Sequence, residues 1–256
     1  MTKYEPGTPS WVDLGSPDTD ASRAFYGALF GWESQVTADP NAGGYTMFTL
    51  RGKNVAGLGP LMNEAQPTAW TTYVSVVDAD ATVAKVKDAG GMVFVEPMDV
   101  LDVGRMAIFA DPTGAVIAVW QPRAHIGADL VNEPGTFCWN ELATRDIETA
   151  KKFYEAVFGW GGDTNAFGPG TYTEWKVGER TVGGMMEIGE HMPAEMPAHW
   201  LVYFAVADCD ATVDKAKELG GAVLVPPTDI PPGRFAVLAD PQGAPLAVMK
   251  LAEGLG

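Results

Sequence analysis

The chain contains itself twice, and this repeat limits what it can fold into more than any other feature. The segment from Gly7, GTPSWVDLGSPDTDASRAFYGALFGW, matches the segment from Gly135, GTFCWNELATRDIETAKKFYEAVFGW. Trp11 pairs with Trp139, Asp13 with Glu141, Phe25-Tyr26 with Phe153-Tyr154 and Gly31-Trp32 with Gly159-Trp160, at an offset of 128. Trp70 and YVSVVDADATVAKVKDAGG match Trp200 and YFAVADCDATVDKAKELGG at an offset of 130. GRMAIFADPTGAVIAVW then matches GRFAVLADPQGAPLAVM, pairing Arg105 with Arg234 and Asp111 with Asp240. Collinear matches of this kind imply two copies of one module, residues 1–122 and 132–256, joined near 122–134.

Each module has an inner rhythm. Residues 10–15 alternate as a strand with Trp11 and Asp13 on one face and Val12 and Leu14 on the other. Asp18 or Asp20 then caps a helix to about Phe30, which Gly31 stops. Residues 45–51 and 54–59 read as two strands around Gly52. The second half repeats the order: a strand over 70–77, a helix capped by Asp78 and Asp80 and ended by Gly90-Gly91, then strands near 92–95, 105–109 and 115–121. DPTG at 111–114 suits a type I turn. Each module is thus βαβββ twice, an α+β pattern.

Composition excludes several function classes. With 17 Lys+Arg against 33 Asp+Glu, the net charge of −16 opposes binding to phosphate backbones, so no nucleic-acid partner is expected. No apolar run reaches the roughly 20 residues of a membrane helix, and the N-terminal MTKYEPGTPSW lacks a signal-peptide core, so no membrane partner is expected either. Cys138 and Cys209 stand far apart and in no CxxC, which excludes a disulfide framework and favours a reducing cytoplasm. No Gly-rich phosphate loop has P-loop or Rossmann spacing, and no Ser/His arrangement supports a hydrolase triad.

The strand-FYxxxFGW opening, the central VxDxDATVxKxKxxGG and the late GRxAxxxDPxGA together resemble the vicinal oxygen chelate superfamily. That superfamily includes glyoxalases, bleomycin-resistance proteins and extradiol dioxygenases. The pattern is most similar to its two-module, glyoxalase-like actinobacterial members. The resemblance implies tandem modules of paired βαβββ units, each forming a curved, cup-shaped mixed sheet around a cavity. It also implies His, Glu or Gln ligands on cup-facing strands. Carried over by motif, the ligand positions hold Trp11 and Trp139, Thr72 and Val202, Ala118 and Ala247, and the pairs Ala56-Gly57 and Gly183-Gly184. None is a competent ligand apart from the weak Thr hydroxyl, so neither a metal nor another cofactor is expected. His125, His191 and His199 lie in the linker and in one loop.

The vacated positions are aromatic or small. Trp11, Trp70, Trp120, Trp139 and Trp200, with Thr72 and Val202, form a candidate site for a flat, largely apolar ligand. The strand tryptophans read equally as core. Asp13 and Glu141 are candidate ligand-binding or acid–base groups, although pairing with a nearby cation or backbone amide is the stronger reading of both. Arg105 and Arg234 suit an oxyanion clamp, or acids in their own hairpins. The Met- and Pro-rich stretch 183–199 is a candidate lid. These readings favour a metal-free small-molecule-binding protein, with a metal-independent glyoxalase-like lyase or hydroxylase as the alternative. An intramolecular pair of modules suggests a monomer or weak homodimer.

Overall fold

The computed structural model describes residues 4–63, 66–168, 170–190, 192–252 and 254. Module 1 runs β1 (Pro9–Ser16), α1 (Thr19–Phe30), β2 (Glu33–Val36), β3 (Thr46–Leu50), β4 (Lys53–Pro60), β5 (Ala69–Ser75), α2 (Ala79–Asp88), β6 (Met92–Val100), β7 (Gly104–Ala110) and β8 (Val116–Pro122). Module 2 runs β9 (Phe137–Thr144), α3 (Ile147–Phe158), β10 (Gly161–Phe167), β11 (Gly170–Val177), β12 (Arg180–Glu187), β13 (His199–Ala205), α4 (Cys209–Glu218), β14 (Ala222–Ile230), β15 (Gly233–Ala239) and β16 (Pro245–Leu251). Both modules are βαβββ twice over, an α+β fold with two curved mixed sheets.

Local chemistry sets the helix ends. Asp18 accepts from the Ala21 amide at 3.0 Å, and Asp78, Asp146 and Asp208 cap the other three helices in the same way. Asp20 and Asp80 sit two residues further in, in the first turns, and are not caps. Gly31 and Gly159 close α1 and α3 in the left-handed region, at φ 73° and 70°.

The strand order is β2-β3-β4-β1-β5-β8-β7-β6 in one sheet and β10-β11-β12-β9-β13-β16-β15-β14 in the other. In the first sheet β1 pairs in parallel with β4 and β5 with β8, as β9 does with β12 and β13 with β16 in the second, and the outer hairpins are antiparallel. Two edge strands depart from the sequence reading. β2 was not expected: Glu33, Ser34, Gln35 and Val36 are all exposed, so no alternation marks them. β6 extends beyond residue 95, through Pro97, because an edge strand with register shifts tolerates a missing N–H.

The compact units are not the sequence modules. One unit comprises Met1–Ser10, Thr72–Gly127 and Asn140–Leu201, and the other Trp11–Thr71, Ala128–Trp139 and Val202–Gly256. Each therefore joins half of one module to half of the other. The first packs Val83 and Val86 of α2 with Phe153, Tyr154 and Val157 of α3 over Val74, Phe109, Ile117 and Leu142. Burying each such side chain contributes about 1.5–3 kcal/mol.

A tyrosine locks each unit. In the first, Tyr154 Oη accepts from Trp200 Nε1 at 2.8 Å and donates to Asp111 Oδ2 at 2.8 Å. In the second, Tyr26 Oη accepts from Trp70 Nε1 at 3.0 Å and donates to Asp240 Oδ2 at 3.0 Å. The same two aspartates organise the DPxG turns: Asp111 Oδ1 accepts from the Thr113 and Ala115 amides, and Asp240 Oδ1 from those of Gln242 and Ala244. The FY tyrosine of one module thus anchors the turn of the other. Trp32 and Trp160 are core residues whose indoles donate to Gly135 O and Gly7 O, each at 2.7 Å.

Candidate binding site

β1 alternates as its sequence implies. Val12 and Leu14 are fully buried on one face, which turns Trp11, itself buried at 4% exposure, and the half-buried Asp13 to the other. There a phenol from β3's approach joins them. Trp11 Nε1 donates to Tyr45 Oη at 2.9 Å, and Tyr45 Oη donates to Asp13 Oδ2 at 3.2 Å. The parallel pairing of β1 with β4 sets Asp13 opposite Gly57. A Cβ at Gly57 would lie 1.8 Å from Tyr45 Oη, so only glycine leaves space for the hydroxyl. Burial pushes the Tyr45 phenol well above its ordinary pKa; the Asp13 charge adds to this and the Trp11 indole opposes it. Tyr45 is therefore a neutral donor over the whole physiological range.

Tyr45 is the residue that sequence reasoning missed. A signal for it exists in the repeat: Tyr45-Thr46 recurs as Tyr172-Thr173, with Gly57 recurring as Gly184. In module 2 Glu141 lies opposite Gly184 in register, is buried, and occupies the position of Asp13. Trp139, at the position of Trp11, is half-buried.

Five candidate residues fall elsewhere. Trp70 donates to Tyr26 and packs edge-on against Trp32 and Phe204; Trp200 donates to Tyr154 and packs edge-on against Trp160. Both belong to the aromatic cores. Thr72 shares its face with the core residue Val74 and donates to Asn140 Oδ1 at 2.7 Å. Val202 likewise shares its face with Phe204, which packs on Phe30 and Trp32. Strand alternation thus turns Thr72 and Val202 to the packed side. Trp120 is buried, its indole donating to His125 O at 2.7 Å.

Other candidates resolve as structure. Arg105 bonds Asp80 and Asp99, and Arg234 bonds Asp210 and Asp229, so the oxyanion-clamp reading gives way to acids of their own neighbourhoods. Burial pushes the Cys138 thiol up to about 12, an inert group. The stretch 183–199 is tied at its centre: Arg145 donates to the carbonyls of Ile188, Pro193 and Ala194. His191 lies outside the described residues.

A divalent ion needs several nitrogen or oxygen donors converging from different strands. Among the described residues no three His, Cys, Asp or Glu side chains converge in this way. Asp13 is flanked by an indole and a phenol, which donate hydrogen bonds and offer no chelating pair. The residues at this site do not fit a divalent metal.

Known proteins place this architecture. The family model described as Glyoxalase/Bleomycin resistance protein/Dioxygenase superfamily matches residues 8–119 and again 131–248. The anthracycline biosynthesis protein DnrV of Streptomyces peucetius is 46% identical, over 99% of this chain and 97% of its own length. CFP32 of Mycobacterium tuberculosis, provisionally named a glyoxylase, is 48% identical over 97% of both chains. The fold also matches the Mn(II)-bound glyoxalase from Novosphingobium aromaticivorans, with a TM-score of 0.65 at 18% identity over 98% of this chain and 83% of that one. It matches the 2,2',3-trihydroxybiphenyl 1,2-dioxygenase from Sphingomonas wittichii with a TM-score of 0.64 at 14% identity, over 96% of this chain and 91% of that one. The chain belongs to the glyoxalase/bleomycin resistance protein/dioxygenase superfamily, as a tandem of two of its modules.

Proposed function

We propose that the protein binds a flat, partly aromatic small molecule without a protein-bound metal. The observation that carries this reading is Tyr45 over Gly57. Where the superfamily resemblance leads one to expect a metal ligand, a glycine admits a phenol bonded to Trp11 and Asp13. The half-buried phenol supplies stacking surface, worth about 0.5–1.5 kcal/mol beyond area burial, the buried Trp11 indole holds the phenol in place, and the half-buried carboxylate is a directional acceptor. Glu141, Tyr172 and Gly184 supply the same residue types as Asp13, Tyr45 and Gly57 within the other unit. The relationship to DnrV supports such a ligand, because anthracyclines are planar fused-ring molecules.

A second reading, a lyase or hydroxylase of the glyoxalase-like group acting without a protein-bound metal, draws on the Tyr45–Asp13 hydrogen bond. A carboxylate within 3.2 Å of a phenol held neutral is an acid–base pair. One experiment tests both. Planar aromatic compounds are screened by native mass spectrometry, and hits are titrated by tryptophan fluorescence against Trp11→Phe, Tyr45→Phe and Asp13→Asn. Binding weakened by Trp11→Phe and Tyr45→Phe supports the site, and the site is refuted if no planar hit responds to any of the three variants. Turnover lost in Asp13→Asn with binding retained identifies the enzyme.

A further inference from the structure

We propose a second binding site, within the unit that holds β10–β12, whose ligand is an organic cation with an apolar body. A cavity of about 580 Å³ lies between the tip of the β10–β11 hairpin and the Met-rich stretch that follows β12. Its size falls within the roughly 300–1,000 Å³ usual for small-molecule sites. Phe167, Thr171, Met186, Glu187, Glu190 and Met192 line it.

The lining chemistry selects the charge of the ligand. Phe167 is 39% exposed, and its ring stands 5.6 Å from that of Tyr172, so an aromatic face is held open towards solvent. Met186 and Met192 add soft, adaptable walls. Against this apolar surface stand two carboxylates, and among the described residues no cationic side chain lines the cavity. Glu187 Oε2 accepts from Thr171 Oγ1 at 3.5 Å, a neutral partner that leaves its charge in place. Arg145 spends its guanidinium on three carbonyls of the stretch and so fixes the wall. Ile188 N adds a bond to Thr144 O at 2.9 Å. Aromatic faces and carboxylates attract the same ligand class, a cation carried on an apolar frame, and the net charge of −16 draws such ligands in. The site contains none of Trp11, Asp13 and Tyr45, so it stands or falls apart from the function proposed above.

The test uses the intact protein and two probes of one shape, 9-aminoacridine, a cation, and acridine, neutral at mildly alkaline pH. Their fluorescence is titrated against the wild type and variants. The expected result is binding of 9-aminoacridine at least about threefold tighter than acridine, a preference that shrinks at about 0.5 M salt. Glu187→Gln with Glu190→Gln should abolish the preference, keep acridine binding and leave the melting temperature unchanged. Phe167→Ala should weaken binding of the cation, and the preference for the cation should persist in Trp11→Phe. Equal affinities for the two probes, a preference that survives the double glutamine variant, or a preference lost in Trp11→Phe would each overturn the proposal.

Discussion

The two modules share one frame and put it to different uses. In module 1 the ring of Tyr45 lies over Gly57 and Gly59, and this path brings its hydroxyl to Asp13. In module 2 Met186 takes the position of Gly59, directly opposite Tyr172 in register, and Tyr172 packs beside Phe167. The outer strands differ to match. β2 is a four-residue exposed edge, whereas β10 and β11 form a hairpin of seven paired positions whose tip borders a cavity. Where module 1 has a glycine beneath its phenol, module 2 thus has a methionine that lines an apolar pocket with acids at its wall. Duplication preserved the fold and the helix-side anchors, while the open strand faces diverged.

The anchors test how alike the two halves remain. Burial first, and then the neighbouring aspartates, raise the pKa of Tyr26, Tyr45 and Tyr154 well above the usual value. For a group raised in the folded state, stability is fully present below the unfolded pKa of about 10 and is lost as pH rises through the folded value. Both units should therefore hold to about pH 10 and then unfold together, with tyrosine ionisation at 295 nm coinciding with loss of circular dichroism. Ionisation well ahead of unfolding would show that the phenols are not locks.

Asp111→Ala and Asp240→Ala should each cost about 3 kcal/mol, because each strands buried turn amides and a phenol. Denaturant titration of the two variants compares the units directly, and a large loss in one alone would end their equivalence. Gly57→Ala should cost about 2 kcal/mol by overpacking against Tyr45, and should remove any ligand response that depends on Tyr45. Tyr45→Phe should cost about 1 kcal/mol, since it gives up two hydrogen bonds without a clash. The smallest expected effect is none. Added Zn²⁺, Ni²⁺ or Mn²⁺ should leave the melting temperature unchanged, although a ligand at a hundredfold over its Kd adds about 2.7 kcal/mol.

Much of the fold was legible because it rests on local chemistry. The four capping aspartates, the glycines at 31 and 159 and the alternation of β1 each stand within a few residues of what they control. β2 was not legible, since an all-exposed edge carries no pattern. The interleaving of the modules was not legible for a different reason. Both copies carry an FY tyrosine and a DPxG aspartate, so the repeat cannot say whether Tyr26 meets Asp111 or Asp240. At the candidate site Trp11 and Asp13 were readable from strand parity. Tyr45 was not, because its role depends on the space left by Gly57 on a neighbouring strand.

The exchange of anchors between modules also sets a timetable for synthesis. Tyr154 finds Asp111 across 43 residues of chain already made, so the unit that ends at Leu201 can close as soon as that point emerges. Tyr26 waits for Asp240, 214 residues downstream. At about 5–20 residues per second, the segment Trp11–Thr71 spends roughly 8–34 s as an orphan half with its aromatic face uncovered. Nascent chains of this protein should therefore engage holdase chaperones through their first seventy residues and release them only when the last strands appear.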